Sequence, residues 1–113
     1  MIENQILMED LQYIADKLTE KERRALSGRS VFITGFAGSL GFMMTQFLAH
    51  NGKNLGVKHV YLMDNYIFGK PDWVQAIDNH PLFSVHEGDV THESLLFASD
   101  ADLIFHIDRK SVV

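Results

Sequence analysis

The stretch "VFITGFAGSLGF", Val31 to Phe42, decides the fold. Val31 to Thr34 is a short apolar run of the kind that makes a buried strand. Glycines follow at Gly35, Gly38 and Gly41. Ser39 to His50 then reads as a helix, with Asn51-Gly52 expected to end it. A strand running straight into a helix through three residues without side chains is a joint built for close backbone approach.

Outward from that joint the elements alternate. Upstream, Leu7, Leu11, Ile14 and Leu18 lie at spacings of four and three and form one stripe of an amphipathic helix. Thr19 with Glu22 is a capping-box pattern that starts a second short helix, and Gly28 is a natural stop. Downstream, Val57 to Met63 reads as a second strand, closed by Asp64-Asn65. Pro71-Asp72 opens a helix to about Asp78, with Asp72 as its cap. Phe83 to His86 is a third short strand, ending at Glu87-Gly88-Asp89. Thr91 to Ser99 reads as helical, and Leu103 to Ile107 as a fourth strand. Strands alternating with helices predict an α/β fold with a parallel, Rossmann-like sheet. Right-handed crossovers with the first strand inside predict the strand order 3-2-1-4. There is no internal repeat and no low-complexity linker.

Bulk properties narrow the class. The 113 residues suit a single domain, and 46% hydrophobic with 22% charged residues is ordinary for a globular chain. A net charge of -5 gives no reason to expect nucleic acid or an anionic membrane as partner. With no cysteine, disulfides and thiolate chemistry drop out. No apolar run approaches the ~20 residues of a membrane span. Glu3, Glu9 and Asp10 stand where a signal peptide carries basic residues, so the expected location is cytoplasmic.

Glycines at such a joint have separable roles. The first permits the tight turn, the second lets the backbone approach a pyrophosphate, and the third lets the helix pack closely on the strand. The new helix offers free N–H groups and the positive end of its dipole. Two acids extend the pattern. Asp64 lies 23 residues beyond Gly41, at the end of the second strand. The ribose-binding acid of a dinucleotide site is expected there, about 20 residues on. A carboxylate in that place accepts from both ribose hydroxyls and repels a 2′-phosphate, which favours NAD over NADP. The plainer alternative is that Asp64-Asn65 only opens a turn. Asp89 is placed to accept from the adenine amino group, with Val90 near the ring; capping a helix before Thr91 is its other reading.

These residues carry a resemblance. "TGFAGSLG", "YLMDN", "EGDVT" and "DLIFHI", in that order, resemble the amino-terminal half of the extended short-chain dehydrogenase/reductase family. Within it the chain is most similar to NAD-dependent enzymes of nucleotide sugars: epimerases, 4,6-dehydratases and UDP-glucuronate decarboxylases. The likeness covers about residues 29 to 107. The leading helix, "EDLQYIADKL", resembles an extension of some dehydratase-like members. The resemblance implies a helical extension over residues 1–28 and a truncated NAD-binding Rossmann domain over 29–113. It implies cofactor contacts at Gly35, Gly38, Ser39, Leu40, Gly41, Asp64, Asn65, Asp89 and Val90.

The sequence also departs from the family. Family members act through Tyr-x-x-x-Lys, the tyrosine serving as base while the lysine lowers its pKa. Tyr13 to Lys17 has that spacing but precedes the glycine joint. Tyr66 to Lys70 has it too, in a loop interrupted by Gly69 and stopped by Pro71, where the spacing is not expected to join the side chains. No catalytic residue is therefore assigned. Asp108 and Arg109 stand where the family has two small residues beside the nicotinamide. His86 and His92, flanking Glu87 and Asp89, read as a solvated loop rather than a metal site. Met43 and Met44 with Phe42, Phe47 and Leu48 read as the packing face of the first long helix, and Trp73 as a cover for the loop after the second strand.

The expected function is the NAD(H)-binding portion of a nucleotide-sugar enzyme, without its base or substrate domain and inactive alone. Two alternatives stay open: a stand-alone nucleotide-binding regulatory module, and a non-catalytic interaction protein that kept the fold. The fourth strand, apolar on both sides with charge only at Asp102 and Asp108, is expected to be an unpaired edge through which the chain self-associates.

Overall fold

The structure, a computed structural model, describes residues 5–67, 69–88 and 97–107, with side chains described for all of these but 5–7 and 14. The elements run α1 (Gln5–Lys17), α2 (Glu20–Leu26), β1 (Ser30–Thr34), α3 (Ser39–Leu55), β2 (His59–Asp64), α4 (Trp73–Asp78), β3 (Phe83–Glu87) and β4 (Leu103–His106). The four strands form one all-parallel sheet in the order β3-β2-β1-β4. The architecture is α/β and Rossmann-like, as the alternation of elements predicts.

β1 is the pivot. It pairs with β2 from Ser30↔His59 to Thr34↔Met63, and with β4 from Val31↔Leu103 to Thr34↔His106. All five of its residues are buried, as a strand covered on both faces requires. Its side chains alternate between two layers. Val31 and Ile33 join Val60, Leu62, Leu48, Leu55, Val74, Ile77 and Phe36 in the larger core. Phe32 points the other way, to Met63 and Ala98. Full burial of such side chains stabilises by about 1.5–3 kcal/mol each.

The N-terminal helices pack on the larger core. Leu11 and Ala15 are buried, and Leu18 and Leu26 touch the cluster. The capping box is present: Glu22 N–H donates to Thr19 Oγ1 (3.1 Å) and Thr19 N–H to Glu22 Oε1 (3.0 Å). Gly28 N–H donates to Gly56 O (2.7 Å) and Lys58 N–H to Arg29 O (2.8 Å), tying the extension to the segment before β2. Among the described residues no helix is long and apolar enough to cross a membrane.

Several boundaries differ from expectation. Asn51-Gly52 does not end α3, which continues to Leu55. Gly52 is buried in the helix, where a Cβ would come within 2.7 Å of Leu82 Cδ2. The stop is Gly56, at φ +80°, where Gly56 N–H reaches Lys53 O and Val57 N–H reaches Gly52 O. β2 starts at His59 rather than Val57, and β3 extends to Glu87. Asp72 holds the cap position of α4 but makes no side-chain cap bond, its backbone being already helical. The buried residues of α3 are Gly41, Thr45, Gln46, Leu48, Gly52 and Leu55, so Phe42, Met43, Met44 and Phe47 are only half-buried. β4 is the least covered strand, with Ile104 64% and Phe105 41% exposed. The helix expected over Thr91 to Ser99 lies largely outside the described residues.

Candidate functional site

The joint between β1 and α3 is a turn that backbone approaches closely at Gly35 and at Gly41. Gly35 has φ +71°, and its N–H donates to Met63 O at 2.8 Å. A Cβ on Gly35 would lie 2.5 Å from Ile107 O, so the residue fits only as glycine between the ends of β2 and β4. Gly41 is tighter still: its Cβ would stand 1.9 Å from Phe36 O. The carbonyl of the turn thus rests on the first turn of α3, the close approach expected of the third glycine.

Phe36 anchors this turn. It is fully buried, with its ring edge-on to Trp73 at 5.7 Å and to Tyr66 at 6.2 Å. Phe42, one turn into α3, meets Trp73 at 5.1 Å. Trp73 therefore packs on the glycine turn and α3. Nothing in the glycine spacing marks Phe36; a large apolar residue among small ones was the available signal.

Gly38 is the N-cap of α3 and supplies no side-chain cap. The first helical bond runs from Phe42 N–H to Gly38 O at 2.8 Å. The N–H groups of Ser39, Leu40 and Gly41 belong to the first turn, where a helix has no acceptors of its own. Ser39 and Leu40 are exposed, Leu40 at 61%. A 17-residue helix with an uncapped start offers an anion both donors and dipole.

Asp64 ends β2 beside this turn. Its Oδ2 accepts from Ala37 N–H at 3.1 Å and its Oδ1 from Tyr66 N–H at 2.7 Å, while Gly88 N–H donates to its backbone O at 3.0 Å. The carboxylate thus joins the glycine turn, its own strand end and the end of β3. It is also nearly covered, at 4% exposure. Asp64 does open a turn, since it holds Tyr66 N–H, and it clasps the glycine turn as well. Asn65 is exposed and its Oδ1 accepts from Ile67 N–H at 3.0 Å. The structure brings Gly35, Gly38, Ser39, Leu40, Gly41, Asp64 and Asn65 to the ends of β1 and β2. Asp89 and Val90 lie outside the described residues, as do Asp108, Arg109 and His92.

Tyr66 corrects one expectation. It takes φ +57°, unusual for a bulky side chain, and Gly69 N–H bonds back to Tyr66 O at 2.8 Å. The loop is folded enough that Lys70 Nζ lies 5.3 Å from the Tyr66 ring centroid, although the segment is not helical. The pair still cannot act as base and activator. The ammonium sits against the ring, and the buried Tyr66 hydroxyl has no hydrogen-bond partner among the described residues. Burial, with Asp64, Glu87 and Asp78 adding to it, pushes this phenol up to about 12, the wrong direction for a base. Tyr13 and Lys17 likewise meet ring to ammonium at 5.3 Å, with Tyr13 64% exposed on α1.

The Tyr66 shift has a stability consequence. An unfolded tyrosine titrates near 10, whereas this one stays protonated to about 12. Its contribution is complete below pH 10 and is lost as pH rises from 10 to 12, because only the unfolded state then releases the proton. Allowing for partial solvent screening, the loss is on the order of 1 kcal/mol. Urea unfolding at pH 9 and 11.5 should show a steeper fall for the native chain than for Tyr66→Phe; equal falls would place the hydroxyl in solvent.

One contact escaped the sequence entirely. Thr34 Oγ1 and His106 Nδ1 are 2.5 Å apart, joining the ends of β1 and β4. Ligands of open α/β sheets bind outside the strand ends where the order reverses, and here the reversal falls between these two strands. Only the register Thr34↔His106 brings the pair together. Among the described residues no three His, Asp or Glu side chains are grouped to hold a metal ion.

Comparison with protein-family models, curated proteins and solved structures finds no match for this chain.

Proposed function

We propose that the glycine turn and the start of α3 bind the pyrophosphate of a dinucleotide, NAD(H) in preference to NADP(H), as the cofactor-binding portion of an enzyme acting on nucleotide-linked sugars. The observation that carries this reading is the bond from Ala37 N–H to Asp64 Oδ2. It makes the turn that would face the phosphates and the acid that would face the ribose one unit. Ser39, Leu40 and Gly41 would supply N–H donors, with Gly35 and Gly38 allowing close approach; Asp64 and Asn65 would hold the ribose. Asp89 and Val90 remain the proposed adenine contacts. Backbone N–H donors at the start of a helix suit the charge of a pyrophosphate. Asp64 fits through its charge, which suits ribose hydroxyls and opposes a 2′-phosphate.

A bound nicotinamide would accept a hydride from the sugar carbon being oxidised. The chain's own part is to orient the cofactor and hold it by dipole and backbone donors. Neither tyrosine of a Tyr-x-x-x-Lys spacing is set up as a base, so the chain alone is expected to bind without turnover. The near-complete burial of Asp64 favours a second reading, a protein that kept the fold and gave up the ligand.

Leu40→Glu separates the two. Leu40 is exposed in the first turn of α3, where an acid suits the helix dipole and leaves the fold intact. There it would face the phosphates with like charge. NADH binding, read as energy transfer from Trp73 to the reduced nicotinamide, is expected to weaken tenfold or more. Unaltered binding would move the dinucleotide elsewhere; no binding by the native chain would leave the second reading.

A further inference from the structure

β4 lies at the edge of the sheet, and among the described residues only β1 pairs with it. Among the described residues no strand pairs with its outer row of N–H and C=O groups, the kind of edge that takes up another strand. Natural edges are guarded by charge or proline within the strand, and Leu103-Ile104-Phe105-His106 has no Lys, Arg, Asp, Glu or Pro. The two faces differ. Leu103 packs on the larger core, and Phe105 borders an apolar groove of about 310 Å³ with Leu26, Leu40, Met43 and Phe47. Ile104 and His106 point to the opposite face, both exposed.

We infer that this edge pairs with the same edge of a second copy of the chain, antiparallel about a two-fold axis at Ile104, making one continuous eight-stranded sheet. The sequence of the edge selects this occupant, because it is complementary to itself in that register. Ile104 faces Ile104 of the partner subunit. Leu103 faces the partner's Phe105, so apolar side chains meet on the groove side, and the partner's Leu103 and this chain's Phe105 repeat the contact. Asp102 faces the partner's His106. Asp102 Oδ2 already accepts from Ser30 N–H at 2.9 Å, which leaves its second oxygen for an imidazole N–H. His106 uses Nδ1 toward Thr34, which leaves Nε2 to meet it. A slip by one residue would set Leu103 against the partner's His106 and lose the match of faces. A two-fold contact of this kind also closes at two subunits rather than propagating. The inference stands apart from dinucleotide binding, which takes place at the turn before α3.

Because the chain has no cysteine, a single introduced one reports the register. Opposed residues of an antiparallel pair have Cα atoms about 4.5–5.5 Å apart, inside the disulfide range of about 4.4–6.8 Å. Ile104→Cys is expected to oxidise to a covalent dimer at least tenfold faster than Tyr13→Cys, which is equally exposed. In sedimentation velocity the native chain should pass from monomer to dimer over the micromolar range. Ile104→Lys, which opposes two ammonium groups on the axis and disturbs little packing, should raise the dimer dissociation constant tenfold or more with an unchanged circular dichroism spectrum. A native chain that stays monomeric at 100 micromolar overturns the inference, as does equal oxidation of the two cysteine variants or an association indifferent to Ile104→Lys.

Discussion

Gly41→Ala is expected to cost about 3–5 kcal/mol, a large part of the stability of a domain this size. The new methyl carbon would stand 1.9 Å from Phe36 O and 2.4 Å from Phe36 C. Both are backbone atoms, so no side chain can swing aside. Moving them moves the fully buried Phe36 ring and breaks its contacts with Trp73 and Tyr66. Overpacking of this kind normally costs about 1–3 kcal/mol; displacing a buried aromatic anchor adds to it. Urea denaturation followed by Trp73 fluorescence measures the change. A loss below about 0.5 kcal/mol, the level of an ordinary surface change, would mean that the turn does not rest on the helix as described.

Asp64→Asn has the second largest effect, and it acts on both stability and selectivity. The carboxylate accepts from Ala37 N–H and Tyr66 N–H at once. An amide retains only one acceptor oxygen and sets a donor against the other N–H, so a buried donor is left unsatisfied at about 1–3 kcal/mol. For the ligand, the removed charge is the one expected to repel a 2′-phosphate. Its burial strengthens that repulsion, because screening by water is weak there. The native chain should favour NADH over NADPH by tenfold or more, and Asp64→Asn or Asp64→Ser should narrow the ratio at least threefold. The ratio is the proper readout, since loss of folded protein weakens both ligands equally. Equal affinities in the native chain would remove Asp64 from the ribose site.

The sheet was legible because its cues are local and agree with one another. An apolar run, three glycines and a helix pattern specify the β1–α3 joint, and right-handed crossovers leave one sensible strand order. The end of α3 was not legible at Gly52. A glycine can stop a helix or admit a neighbour, and the neighbour, Leu82, lies thirty residues away in sequence. The positions of Gly35, Gly41 and Asp64 could be read from spacing; the inward turn of the Asp64 carboxylate could not, because its partners are backbone amides. Lys70 reaches Tyr66 only through a positive φ that no residue type advertises. Thr34 and His106 meet through strand register alone.

A titration of the isotopically labelled chain with NAD, followed through its backbone amide resonances, tests the central claim most directly. Amides perturbed by bound pyrophosphate and ribose should be those of residues 35–41 and 64–65, saturating together with one dissociation constant. Perturbation of these amides is predicted to be lost in Leu40→Glu while the rest of the spectrum is retained. A spectrum unmoved by millimolar NAD, or one whose largest shifts lie away from the glycine turn, would contradict the account.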